Sequence, residues 1–212
     1  MTRIPTNQEA LASLGSERTA PSSTNLQIVE ERAASAEVRA LYEQYRARFG
    51  RPDIPGILKC FATHPPLLKS MMDIAETLLF ADGLLLRRQK EMIATLISSR
   101  NGCPYCADSH GTFLRALGGS DEVFCALQTG ALDSASLSRA EQALLRFALQ
   151  VNEDSQSITR ADIETTMQGG WTEAQVAEAV HIAALFATFN RVANAFGLPS
   201  PYPGNLINGV DE

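Results

Sequence analysis

Glu91, Cys103, Cys106 and His110 lie in one short stretch, EMIATLISSRNGCPYCADSHG over 91–111, and each is a residue type that moves protons, binds metals or attacks as a nucleophile. Asn101-Gly102 is a natural helix stop and Pro104 suits a first helical turn, so the Cys103-x-x-Cys106 pair is predicted to open a helix. Unsatisfied N–H groups and the positive end of the helix dipole favour a thiolate there. His110 follows Cys106 by four residues, on the same helical face one turn along, where its ring can reach that sulfur. A free thiol of pKa near 8.5 is only about 3% ionised at pH 7, and lowering it by roughly two units makes the thiolate the major form. A carboxylate such as Glu91 can hold an imidazole in place or take its proton. Position on the dipole alone favours Cys103 as the reactive sulfur, whereas the imidazole favours Cys106.

The elements that must bring these groups together all read as helices. Residues 28–49 form an amphipathic surface helix with a thin apolar stripe of Val29, Ala33, Val38, Leu41 and Tyr45. A helical turn between prolines follows, then a helix through LLKSMMDIAETLLF that Gly83 closes. Residues 84–100 carry Glu91 beside a buried face of Met92, Ile93, Leu96 and Ile97, and 104–117 carry the thiols and His110. Ser120 caps a short helix, 137–151 and 159–168 make two more, and 172–196 starts on a Thr172-x-x-Gln175 capping box with a broad apolar face. No segment alternates at period two for long enough to make a strand. The expected fold is all-α, a single domain over 26–212 of about eight helices, preceded by a flexible tail over 1–25 that is rich in Ser, Thr, Asn and Pro.

With 212 residues and 45% hydrophobic content, the chain can bury one sizeable core. A net charge of -6 and the lack of a basic stripe interleaved with aromatics argue against nucleic acid and against anionic membrane surfaces. The N-terminus has no uninterrupted apolar region and no run of about 18 apolar residues occurs, so the expected location is cytoplasmic. Four cysteines in a chain of this length are no disulfide framework, and in a reducing compartment a C-x-x-C pair reads as redox-active or metal-binding.

Glu91, Cys103, Cys106 and His110, in that order and spacing, resemble the active-site pattern of the alkylhydroperoxidase AhpD and carboxymuconolactone decarboxylase superfamily. The resemblance continues through PGILKCFATHPPLLKSMMDIAETLLFADGLLLRRQKE and the closing AALFATFNRVANAFG, which are similar to the peroxidase-related branch, and so covers about residues 35–198. It implies an all-helical, commonly trimeric or hexameric protein that reduces hydroperoxides. It also implies that Cys106 attacks the peroxide, that Cys103 resolves the sulfenic acid as a Cys103–Cys106 disulfide, and that Glu91 and His110 relay protons. An external dithiol would restore the pair, with no metal or organic cofactor. One position departs: the family histidine just before the second cysteine is Tyr105 here.

Two other readings use the same residues. A cofactor-free lyase acting on a small carboxylated lactone would employ Glu91 and His110 as acid and base. A zinc-braced or redox-sensing helical scaffold would use the two thiols, His110 and Glu91 as ligands. Cys60 and Cys125, each alone in an apolar helical context, read as core residues. His64, before two prolines, reads as a cap or brace, His181 as a core or interface residue, and Trp171 as a staple against the last helix. Asn190 and Asn194 interrupt the last helix on one side and could line a pocket, cap a helix or touch a partner subunit. The apolar breadth of that helix predicts a homo-oligomer.

Overall fold

The computed structural model describes residues 24–202. All but the end of the expected 1–25 tail lies outside the described residues; at that end the Asn25 N–H donates to the Phe196 carbonyl at 2.8 Å. Nine α-helices and no strand occur among the described residues. They are α1 Ala36–Phe49, α2 Gly56–Phe61, α3 Pro65–Ala75, α4 Arg87–Arg100, α5 Pro104–Ala116, α6 Asp121–Thr129, α7 Arg139–Asp154, α8 Arg160–Gln168 and α9 Glu173–Phe196. The ninth helix beyond the expected eight or so is α2, six residues that make a helix of their own between the prolines.

Most helix starts follow from local chemistry. The hydroxyls of Ser35, Ser120, Ser138 and Thr172 accept N–H bonds from the third residue of their helices, and His64 caps α3 by accepting from Leu67 N–H at 3.3 Å. The cap at Ser35 explains why α1 begins at Ala36 and not at 28: the chain before it makes only a single 3₁₀ turn, Glu31–Ala33. The helix expected to run to Gly83 instead stops at Ala75 and continues as a π-helical turn, Glu76–Phe80. This widening accompanies a tertiary bond, since the carbonyls of Leu78 and Ala81 accept from Lys90 Nζ at 2.8 and 3.0 Å.

The centre of the molecule is α4, buried from Arg87 and then without interruption from Lys90 to Ser98. A helix enclosed this way is normally apolar all round. Here its charged residues are buried because each is paired. Lys90 meets Glu178 of α9 at 2.8 Å in addition to its two carbonyls, which satisfies all three ammonium protons. Glu178 also accepts from Leu85 N–H at 2.7 Å and so ties down the 81–86 connection that delivers the chain into α4.

Pairs of helices close around this axis. α5 packs along α4, and their junction is a tight reversal in which Gly102 adopts φ +59° and Cys103 N–H donates to the Ser98 carbonyl at 2.9 Å. Where α5 meets α6, a Cβ on Gly111 would overlap the ring of the fully buried Phe124. Gly111→Ala is therefore expected to cost about 1–3 kcal/mol by overpacking, seen as a lower urea midpoint at unchanged m-value.

α9 spans the molecule and buries Ile182, Ala183, Phe186, Phe189 and Asn190 against the helices around it. Trp171, just before it, donates from Nε1 to the Ala140 carbonyl of α7 at 2.8 Å. By length and composition α9 is the one described helix apolar enough to cross a membrane, and half of its most apolar window is covered within this chain. Its exposed side carries small and polar residues, among them Ala177, His181, Ala184, Thr188 and Arg191. The apolar face expected there is thus half covered within this chain, and His181, expected as a core or interface residue, is exposed on it and so is not in the core. Exposed large apolar side chains stand elsewhere, at Leu67 and Ile74 on α3 and at Leu84 and Leu86 before α4.

Candidate active site

Cys103 is the N-cap residue of α5, and Cys106 lies in its first turn, as the Pro104 signal implied. Both are free thiols and both are buried. The Cys106 thiol donates a hydrogen bond to the Cys103 sulfur, and that bond is the main cause that lowers the Cys103 pKa and raises that of Cys106. Burial opposes ionisation of each. The Cys106 and Tyr105 amides at the open helix end, and the Asn190 side chain, further favour charge on Cys103. The two thiols share this hydrogen bond, so their ionisations are coupled and belong to the pair and not to either sulfur alone.

One turn further along α5, His110 Nδ1 lies 2.6 Å from Glu91 Oε2. The expected meeting of imidazole and carboxylate is present, and it is supplied by the α4–α5 contact. The other oxygen of Glu91 accepts from Arg87, whose Nε lies at 2.6 Å and whose guanidinium sits 4.4 Å over the Phe80 ring. Arg87 was not anticipated as a site residue, although its i,i+4 spacing to Glu91 is the pattern that marks a helical ion pair. Burial of Glu91 acts to raise its pKa, but the Arg87 charge and the hydrogen bonds from His110 and Arg87 outweigh this and hold it below the ordinary carboxylate value. A carboxylate so held does not take up protons readily; it fixes the His110 ring with Nδ1–H directed at Glu91, which leaves Nε2 as the exchangeable position. Edge-to-face contacts with Phe186 at 4.6 Å and Phe113 at 5.3 Å brace the same ring.

A pocket opens onto Cys106 and His110. Traced by the centre of a water-sized sphere its volume is about 70 Å³, several times the 10–15 Å³ that one water needs. Its walls are chiefly apolar, from Phe49 of α1, Met72 of α3, Leu79 and Phe80 of the π turn, Phe113 of α5 and Phe189 of α9. Cys103 and Glu91 are not among the lining residues and stand behind the two that are. Tyr105 is a pocket wall whose hydroxyl accepts from Ile57 N–H of α2 at 3.2 Å. Arg51 is the guanidinium at this pocket, and it donates to the Tyr202 hydroxyl at 2.8 Å.

The remaining candidates separate cleanly. Cys60 is 1% exposed and its thiol is pushed up to about 12 by burial, which makes it a core residue, whereas Cys125 is half-buried on α6. Among the described residues no three His, Cys, Asp or Glu side chains converge as a metal ion would need, and Glu91 is engaged by Arg87 and His110. Asn190, set aside on sequence grounds, is fully buried against the thiols. Its signal was a polar residue in the middle of an apolar helical face.

The profile of the Carboxymuconolactone decarboxylase family matches residues 65–148, which contain Glu91, both site thiols and His110. An alkyl hydroperoxide reductase of Mycobacterium tuberculosis, Rv2159c, is 33% identical over 98 residues, which are 46% of this chain and 27% of that protein, so the match spans little more than a quarter of its length. A peroxidase-related protein from Ralstonia eutropha, described as an alkylhydroperoxidase AhpD core, has a TM-score of 0.76 and 25% identity over 88% of this chain and 96% of its own. A peroxidase-related protein from Silicibacter sp. TM1040 gives a TM-score of 0.74 and 25% identity over 85% and 94%. Fold, motif and order of elements are thus similar to those of the AhpD-like and carboxymuconolactone decarboxylase superfamily, and to its peroxidase-related proteins in particular.

Proposed function

We propose that this chain is a thiol-dependent peroxidase that reduces organic hydroperoxides at Cys106. The observation that carries the reading is the placement of Cys106 and His110 on one apolar pocket, with Cys103 hydrogen-bonded behind Cys106 and Glu91 holding the imidazole. His110 Nε2 takes the Cys106 proton, and the Cys106 thiolate attacks the terminal oxygen of ROOH. The O–O bond breaks, RO⁻ leaves, and the proton held on His110 makes it ROH. Cys103 thiolate then displaces hydroxide from the Cys106 sulfenic acid; hydroxide leaves as water with a solvent proton, and the disulfide remains. An external dithiol returns two electrons to the pair.

Two features weigh against the rival readings. A lyase that used Glu91 as a base would need a carboxylate not neutralised by Arg87. A zinc-braced scaffold would need converging ligands. The peroxidase reading also suits a reducing, cytoplasmic setting, and a homo-oligomer would cover the exposed Leu67, Ile74, Leu84 and Leu86.

The deciding experiment is thiol titration before and after one equivalent of an organic hydroperoxide, with peptide mapping of any disulfide. Two thiols should be lost and the bond should join Cys103 to Cys106, while Cys60 and Cys125 stay reduced. A bond at Cys60, or no loss of thiols, overturns the reading. His110→Gln should slow alkylation of Cys106 at pH 7 by about tenfold or more, because the nearby proton acceptor is gone. Faster alkylation in the folded variant would count against the proton-transfer role.

A further inference from the structure

We infer that Asn190 is a catalytic residue of the thiol site: its carboxamide donates a hydrogen bond to the sulfur that carries negative charge. The inference rests on the thiol–disulfide reading above. Asn190 is 1% exposed in the middle of α9, where an amide without partners would be costly. Its carbonyl end is fixed, since Oδ1 accepts from Asn101 Nδ2 at 2.9 Å. Asn101 is itself held in a reciprocal amide pair with Asn152 of α7, at 3.0 and 2.8 Å. The amide orientation follows from this network, and the NH₂ end faces the other way.

One of its two protons goes to Ser98 Oγ at 2.9 Å. Both partners of Asn190 bracket Cys103: the Ser98 carbonyl accepts the Cys103 N–H, and Asn101 precedes Cys103 by two residues. The remaining N–H therefore falls at the thiol pair, and the Asn190 side chain favours ionisation of Cys103 and Cys106 alike. An amide NH₂ is a donor that cannot accept the thiol proton, so it stabilises the thiolate more than the neutral thiol, whose sulfur accepts only weakly. That serves two steps. When the reduced pair ionises, it favours charge on Cys103 while the proton stays on Cys106. In regeneration an external thiolate attacks Cys106 Sγ, the S–S bond breaks, and the electron pair leaves on Cys103 beside the same N–H.

The test uses the reduced full-length protein without peroxide, so its outcome is independent of whether hydroperoxide is the substrate. Asn190→Ala, Asn190→Ser and the nearly isosteric Asn190→Asp are compared by peptide-resolved iodoacetamide kinetics against pH, and by equilibration with a dithiothreitol redox buffer. Asn194→Ala is the packing control, because Asn194 holds the Gly102 carbonyl at 3.1 Å on the same helix. The alkylation midpoint in Asn190→Ala should rise by about one pH unit, which cuts the thiolate fraction about tenfold at pH values well below the midpoint, and should rise further in Asn190→Asp, where a like charge faces the sulfur. The disulfide should become harder to reduce in both, and Asn194→Ala should leave the midpoint in place. An unchanged midpoint in Asn190→Ala or Asn190→Asp, with the helical circular dichroism retained, overturns the inference, as does an equal shift in Asn194→Ala. Failure of the wild-type protein to form the Cys103–Cys106 disulfide would instead remove the reading on which it rests.

Discussion

Cys106→Ser is expected to abolish hydroperoxide consumption, and Cys103→Ser to permit a single turnover that ends in a trapped sulfenic acid at Cys106. The asymmetry follows from exposure to the pocket: Cys106 lines it and Cys103 does not. The directions of the two pKa shifts point the other way, since the shared hydrogen bond favours ionisation of Cys103 over that of Cys106. A sulfur without access to substrate cannot attack it, however, and in the proposed mechanism His110, on the same pocket, takes the Cys106 proton. On the proposed mechanism access therefore selects Cys106 as the nucleophile, and the sulfur whose ionisation is favoured, Cys103, resolves it. Stopped-flow consumption of cumene hydroperoxide, with dimedone trapping, distinguishes the variants. Full loss in Cys103→Ser with a dimedone adduct in Cys106→Ser would reverse the assignment.

Glu91→Gln is expected to destabilise the fold by about 3–5 kcal/mol, because it leaves the Arg87 guanidinium buried without its counter-charge. The pair is almost completely enclosed, with side-chain exposures of 4% for Arg87 and 2% for Glu91. Replacing both partners, Arg87→Met with Glu91→Leu, should restore most of that loss, since apolar groups of similar volume carry no desolvation cost. The restored variant would still lack the group that holds His110, and its thiol alkylation at pH 7 should remain slow. Urea denaturation and iodoacetamide kinetics on the same three proteins separate the structural from the chemical part. The pH dependence has a defined sign. The folded pKa of Glu91 lies below the ordinary value of 4.5, so its contribution is complete above about pH 4.5 and is lost as pH falls through the folded value. Wild-type stability should therefore fall more between about pH 6 and pH 3 than that of Glu91→Gln.

The site was legible in the sequence where its parts lie on one helix. The Asn101-Gly102 stop and Pro104 put the thiols at the start of α5, and the four-residue step from Cys106 to His110 put the ring one turn away. Glu91 could be marked as a candidate from its spacing, but its actual partners depend on two contacts of different range. Arg87 is local at i,i+4, and the sequence carried that signal unread; His110 reaches Glu91 only because α4 and α5 pack side by side.

Patterning by itself determined the helical class, the start of most helices and the position of the thiols, because caps, proline and apolar periodicity act over a few residues. Tertiary structure alone decided the rest. The π turn at Glu76–Phe80 accompanies Lys90's need for the Leu78 and Ala81 carbonyls, and no local signal carries that. Asn190 meets Cys103 across 87 positions of sequence, through partners on α4 and the α4–α5 junction. The choice of which sulfur faces the pocket belongs to the same class. It is set by walls drawn from α1, α3 and α9, and long-range burial of this kind is a property of packed surfaces, which spacing along one helix does not encode.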